Sequence, residues 1–116
     1  AEKAGLNLLW SPGNDLVSST ALTAAGAHMI LFTTGRGTPF GAPAPTMKLS
    51  TNTPLYEKKR MWIDFNTGVV ADGSATLDET AARLIDAVLE TASGKRVKAE
   101  ERGFREISIF KDGVTL

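Results

Sequence analysis

A continuous apolar run, Met29 to Phe32, stops at two threonines and meets Gly35-Arg36-Gly37. A stretch holding Pro39, Pro43 and Pro45 follows, and then Thr46-Met47-Lys48. An unbroken apolar run with no alternation predicts a strand buried on both faces, here His28 to Thr34. A buried strand that ends in a stiff, basic, glycine-punctuated loop presents backbone N–H groups and one guanidinium to an anion. The remaining segments are read as the scaffold that holds this loop.

Leu6 to Trp10 forms a short apolar run ending at the turn signal Ser11-Pro12-Gly13-Asn14, and reads as a strand. Asp15 is placed to cap the helix Leu16 to Ala25, which Gly26 ends. Thr46 to Ser50 is a third strand. Pro54 opens a short helix over Leu55 to Arg60, and Met61 to Phe65 is a fourth strand. Thr76 and Glu79 make a capping box for a helix from Leu77 to Ala92. Its apolar face is read as Leu77, Ala81, Leu84, Ile85, Val88 and Leu89, with Asp78, Arg83, Asp86 and Glu90 outward. Arg105 to Phe110 alternates as an edge strand. The alternation of strands and helices predicts an α/β fold: one three-layer domain around a mostly parallel, Rossmann-like open sheet of about five strands. Ligands of such sheets sit beyond the carboxyl ends of the strands, which places Asn14, Thr34, Asn52 and Asn66 on one rim.

The 116 residues suit one domain, able to bury about two-thirds of its unfolded surface. Thirteen basic residues balance thirteen acidic ones. That balance argues against a nucleic-acid binder or a module for anionic membranes. There is no cysteine, so thiolate metal sites and disulfides are excluded. No apolar run approaches the ~20 residues that span a bilayer. The opening AEKAGL lacks an initiator Met, and the chain is read as a domain cut from a longer one.

Arg36, between two glycines just past a buried strand, is suited to a carboxylate or phosphate. The segment lacks the spacing of dinucleotide and P-loop fingerprints. Lys48 lies in an otherwise apolar strand. It either snorkels from an edge or points into a site where desolvation lowers its pKa toward general-base use. Asp64 and Asn66, two apart on one strand, face one side. They could ligate a divalent ion, orient a hydroxyl or cap the strand end. Asn52 is placed similarly. His28, the only histidine, sits at the far end of its strand from the rim and is read as structural.

The segments FTTGRGTPFG and WIDFNTG, with the ending REISIFKDGVTL, closely resemble the C-terminal part of the altronate/galactarate dehydratase family. The likeness covers nearly the whole chain and favours the altronate branch. It implies a cytoplasmic hydro-lyase that dehydrates a sugar acid, D-altronate to 2-keto-3-deoxy-D-gluconate, with a divalent metal, usually Fe2+. It also implies that N-terminal and central domains of the same protein complete the site and carry most metal ligands. The isolated domain is then not expected to be active, and a homo-oligomer is possible. With that chemistry, Thr34, Arg36, Thr38, Asn52 and Asn66 are the expected substrate contacts, Lys48 and Arg36 the catalytic pair, and Asp64 a metal contact. Alternatives are galactarate dehydratase, the large subunit of a sulfolactate sulfo-lyase, and a non-catalytic anion-binding or oligomerisation module.

Overall fold

A computed structural model describes residues 3–108. The elements run α1 (Asp15–Ala24), β1 (Ile30–Thr34), β2 (Thr46–Ser50), α2 (Thr53–Lys58), β3 (Phe65–Asn66), α3 (Gly68–Ala71), α4 (Leu77–Ala92) and α5 (Lys98–Glu101). The domain is α/β. Its sheet is parallel and three-stranded among the described residues, in the order β1-β2-β3, rather than five-stranded.

β2 is the axis of the sheet. All five of its residues are buried, as expected for a central strand covered on both faces. Parallel neighbours need a crossover, and residues 35–45 provide one between β1 and β2 as a loop, without a helix. Met47 and Leu49 project to one side and pack with Val97 and Ala99, backed by Phe65, Leu84, Ala87, Val88 and Phe104. A second, smaller cluster joins Ile30 and Phe32 to Ala42 and Ala44 of the 35–45 loop.

Several boundaries differ from the expectations. Leu6 to Trp10 forms no strand: Leu6, Leu8 and Trp10 are more than nine-tenths exposed, and apolar character without a paired backbone does not make a strand. The strand expected at Met61–Phe65 is only Phe65–Asn66, because a turn after α2 takes up Arg60 to Trp62. Residues 105–108 are not a strand either, since Glu106 N–H donates to Gly41 O while Ser108 N–H donates to Thr20 Oγ1. Residues 109–110 of that expectation lie outside the described residues. Asn14, not Asp15, caps α1, accepting from the amides of Leu16 and Val17.

The capping box of α4 is formed in both directions between Thr76 and Glu79. Its inward stripe is Thr80 and Thr91, buried, with Leu84, Ala87 and Val88 partly buried, whereas Leu77, Ile85 and Leu89 are exposed. Two buried threonines shift the inward face away from the one that apolar spacing suggests, and each returns its hydroxyl to the helix, Thr80 to Thr76 O and Thr91 to Ala87 O. Among the described residues no helix is long and apolar enough to cross a membrane.

Candidate functional site

In a parallel sheet, register partners project from the same face. Thr34 of β1, Ser50 of β2 and Asn66 of β3 are register partners, so a row of three polar side chains crosses the carboxyl ends of the strands. One row below, Phe32 partners Lys48, and Asp64 continues that row through its N–H bond to Lys48 O (2.9 Å). Polar rim and buried lysine thus share a face.

The rim is cross-linked. Ser50 Oγ donates to Asn66 Oδ1 (3.0 Å), which also accepts the Gly68 amide (2.9 Å), while Asn66 Nδ2 donates to Thr53 Oγ1 (3.1 Å). Asn52 caps α2 by accepting from the Leu55 amide (2.9 Å), and its Nδ2 donates to Gly35 O (3.1 Å). Thr51 N–H donates to Thr34 O, and Thr67 N–H to Ser50 O. These bonds tie the ends of all three strands together.

The Gly-Arg-Gly turn is fixed by its neighbours. Gly37 has φ +76°, a conformation that favours glycine, and a Cβ there would crowd the ends of the Lys59 and Leu55 side chains at 3.0 and 3.1 Å. Thr34 Oγ1 accepts the Gly37 amide (2.9 Å), and Lys59 Nζ donates to Arg36 O (2.7 Å). With its backbone held, Arg36 leaves its side chain exposed and, among the described residues, without an ion pair. Asp15 and residues 31–38 line an open groove of about 570 Å³. Thr34, Arg36 and Thr38 therefore meet in one groove.

Lys48 is elsewhere: it is 1% exposed, enclosed beneath the 35–45 loop. Its Nζ lies 5.5 Å from the centroid of Phe40 and 6.0 Å from that of Phe104, within cation–π range. Burial holds the amine below the ordinary lysine value, opposed by the charges of Asp64 and Glu106. Phe32, which lines the groove, meets Phe40 edge-on at 4.9 Å, so two rings connect the groove to the lysine.

Asp64 is a structural bridge. One carboxylate oxygen accepts the Lys48 amide (2.8 Å) and the other the Lys98 amide (2.9 Å). Among the described residues no three His, Cys, Asp or Glu side chains converge. A divalent ion needs several such oxygen or nitrogen donors, so these residues alone do not fit one.

Residues 1–115 match the family described as D-galactarate/altronate dehydratase, C-terminal. The chain belongs to that family. It is 53% identical over 112 residues to altronate dehydratase of Bacillus subtilis, and 51% identical over 112 residues to altronate dehydratase of Escherichia coli. Each alignment covers 97% of this chain. Galactarate dehydratase (L-threo-forming) of Escherichia coli is 39% identical over 95 residues, 81% of the chain. The chain spans only 22% of the length of the two altronate dehydratases and 18% of the galactarate enzyme.

Three residues lie at the site that sequence reasoning did not single out. Asp15, read as a cap, faces the Arg36 groove. Phe40 was one apolar residue in a proline-rich loop, and Glu106 one polar position in an alternating stretch. Neither carries a local signal, because each owes its position to contacts distant in sequence.

Proposed function

We propose that this chain supplies one wall of the active site of an altronate-type hydro-lyase. The observation that carries this reading is the identity pattern: just over half of the residues match two altronate dehydratases across 97% of the chain, against 39% for a galactarate dehydratase over a shorter span. The reaction takes the proton from the carbon beside the carboxylate. The neighbouring C3 hydroxyl leaves as water, and the resulting enol becomes 2-keto-3-deoxy-D-gluconate. Arg36, exposed in its groove, binds the substrate carboxylate through charge-assisted hydrogen bonds, with the Thr34 and Thr38 hydroxyls beside it. Lys48, whose amine burial biases toward the neutral form, is the proton acceptor. Because the lysine is enclosed, its use requires the 35–45 loop to open. Asn52 and Asn66 hold the rim in register and offer their amides to the sugar hydroxyls. Any divalent ion, Fe2+ in the family reading, would take its ligands mainly from the rest of the polypeptide, in N-terminal and central domains. The enzyme would act in the cytoplasm.

The test is a substrate panel. The full-length enzyme, assayed with ferrous iron on altronate, galactarate and sulfolactate, is expected to show its highest kcat/KM on altronate. Turnover of sulfolactate alone would overturn the hydro-lyase reading. In the same enzyme Arg36→Ala is expected to raise KM for altronate by roughly 10- to 100-fold, the loss of one charged hydrogen-bonding partner. An unchanged KM would remove Arg36 from the carboxylate site and leave a non-catalytic anion module as the better account of the loop.

A further inference from the structure

We propose that Glu106 is a positioning residue that fastens the 35–45 loop over Lys48 and holds Phe40 and Phe104 around its amine. The role in catalysis rests on the hydro-lyase reading above; the geometry does not.

Glu106 and Gly41 are joined at two points. Gly41 N–H donates to a carboxylate oxygen of Glu106 (2.8 Å), and Glu106 N–H donates to Gly41 O (2.7 Å). Gly41 is buried, and a Cβ there would lie 2.4 Å from Phe104 O and 3.0 Å from Ala99 Cβ. The loop backbone therefore presses directly on the backbone of Phe104, an approach only glycine permits. That contact sets Phe40, the residue before Gly41, and Phe104 as the two rings within 6.0 Å of Lys48 Nζ. Thr46 Oγ1 secures the far side of the loop, accepting from the Ala42 amide and donating to Ala44 O. Asp64 and Glu106 are the carboxylates that act on Lys48 from the elements packed around it, and neither is within ion-pair distance of it. Glu106 thus serves twice, as an acceptor that holds the loop and as a remote anion that favours the ammonium.

The two roles separate in Glu106→Gln and Glu106→Ala variants of the full-length enzyme. The readouts are acetic anhydride labelling of Lys48 across pH and hydrogen exchange of the loop amides. Glutamine keeps an acceptor and loses the charge. It is expected to leave loop exchange as in the parent and to move Lys48 labelling to lower pH, since removing an anion favours the neutral amine. Alanine removes both, and is expected to raise loop exchange and Lys48 labelling about tenfold, the loss of one hydrogen bond to a charged group. An alanine variant that leaves both readouts at parent values overturns the proposal, as does a glutamine variant that opens the loop as fully as alanine. If the alanine variant fails to fold, the glutamine variant decides alone: loop exchange at the parent level with labelling moved to lower pH supports the proposal, and raised loop exchange overturns it. Neither readout uses turnover. A Lys48→Met enzyme that kept full activity would therefore end the general-base reading while leaving the Glu106 result intact.

Discussion

Lys48→Met is expected to make the domain more stable and the enzyme far less active. The stability gain follows from burial. Lys48 is 1% exposed, and no ion pair offsets its desolvation among the described residues. Methionine fills a similar volume beside Phe40 and Phe104 without burying a charge. The sign with pH is fixed by linkage. The folded-state value lies below the ordinary 10.5, so between the two the unfolded chain holds the extra proton and stability rises with pH. The parent's deficit relative to the methionine variant is therefore full below the folded-state value and shrinks as pH climbs through the window between that value and 10.5. Urea unfolding of the two chains at a series of pH values measures it. A deficit that widened with pH would contradict the assignment. Turnover of the full-length enzyme is expected to fall by about 10²- to 10⁴-fold, the usual contribution of a positioned base. A variant both less stable and fully active would remove Lys48 from the chemistry.

Gly68→Ala is expected to be among the most destabilising single-methyl additions in this domain. Gly68 is buried, and the added Cβ would lie 2.3 Å from Thr53 N, 2.4 Å from Asn52 C and 2.5 Å from Asn52 Cα. All three are backbone atoms that cannot rotate away. They belong to the cap of α2, and the Gly68 amide itself is held by Asn66 Oδ1. Relief of the clash must move the rim. A loss of about 3 kcal/mol is expected, the upper part of the usual range for overpacking. That corresponds to roughly 10 °C in Tm for a domain of this size. Gly73→Ala is the useful control, since nothing stands within 4 Å of a Cβ there and the cost is only that of its φ of +77°. Gly68 has no positive φ, so a loss there no larger than at Gly73 would show that the close approach relaxes at little cost.

The parts of the fold that could be read from sequence are those whose signals are local. Thr76 and Glu79 lie three residues apart, so the start of α4 is legible without tertiary information. The same holds for the end of β2, where Ser50-Thr51-Asn52-Thr53 marks a turn, and for Gly26 closing α1 at φ +102°. Leu6 to Trp10 is apolar enough for a strand, but a strand also needs a paired edge, and pairing is not written in composition. The inward face of α4 was obscured because threonine can be buried once its hydroxyl bonds back to the helix. At the site, the convergence of Thr34, Arg36 and Thr38 follows from their closeness in sequence. The enclosure of Lys48 does not, because it depends on Gly41 meeting Glu106 across 65 residues.

That separation also bears on the order of folding. Both strand pairings join positions sixteen apart, Ile30 to Thr46 and Leu49 to Phe65, so the sheet closes only short chain loops. Bringing Glu106 to Gly41 spans 65 residues, about two doublings of that length, at an extra closure cost of roughly 1.2 kcal/mol. Contacts of low separation form first when stabilities are similar. The amine of Lys48 would then keep its water through most of the folding reaction and lose it in the last step. The cost of drying it falls after the sheet exists, where it lowers the barrier to reopening instead of raising the barrier to assembly.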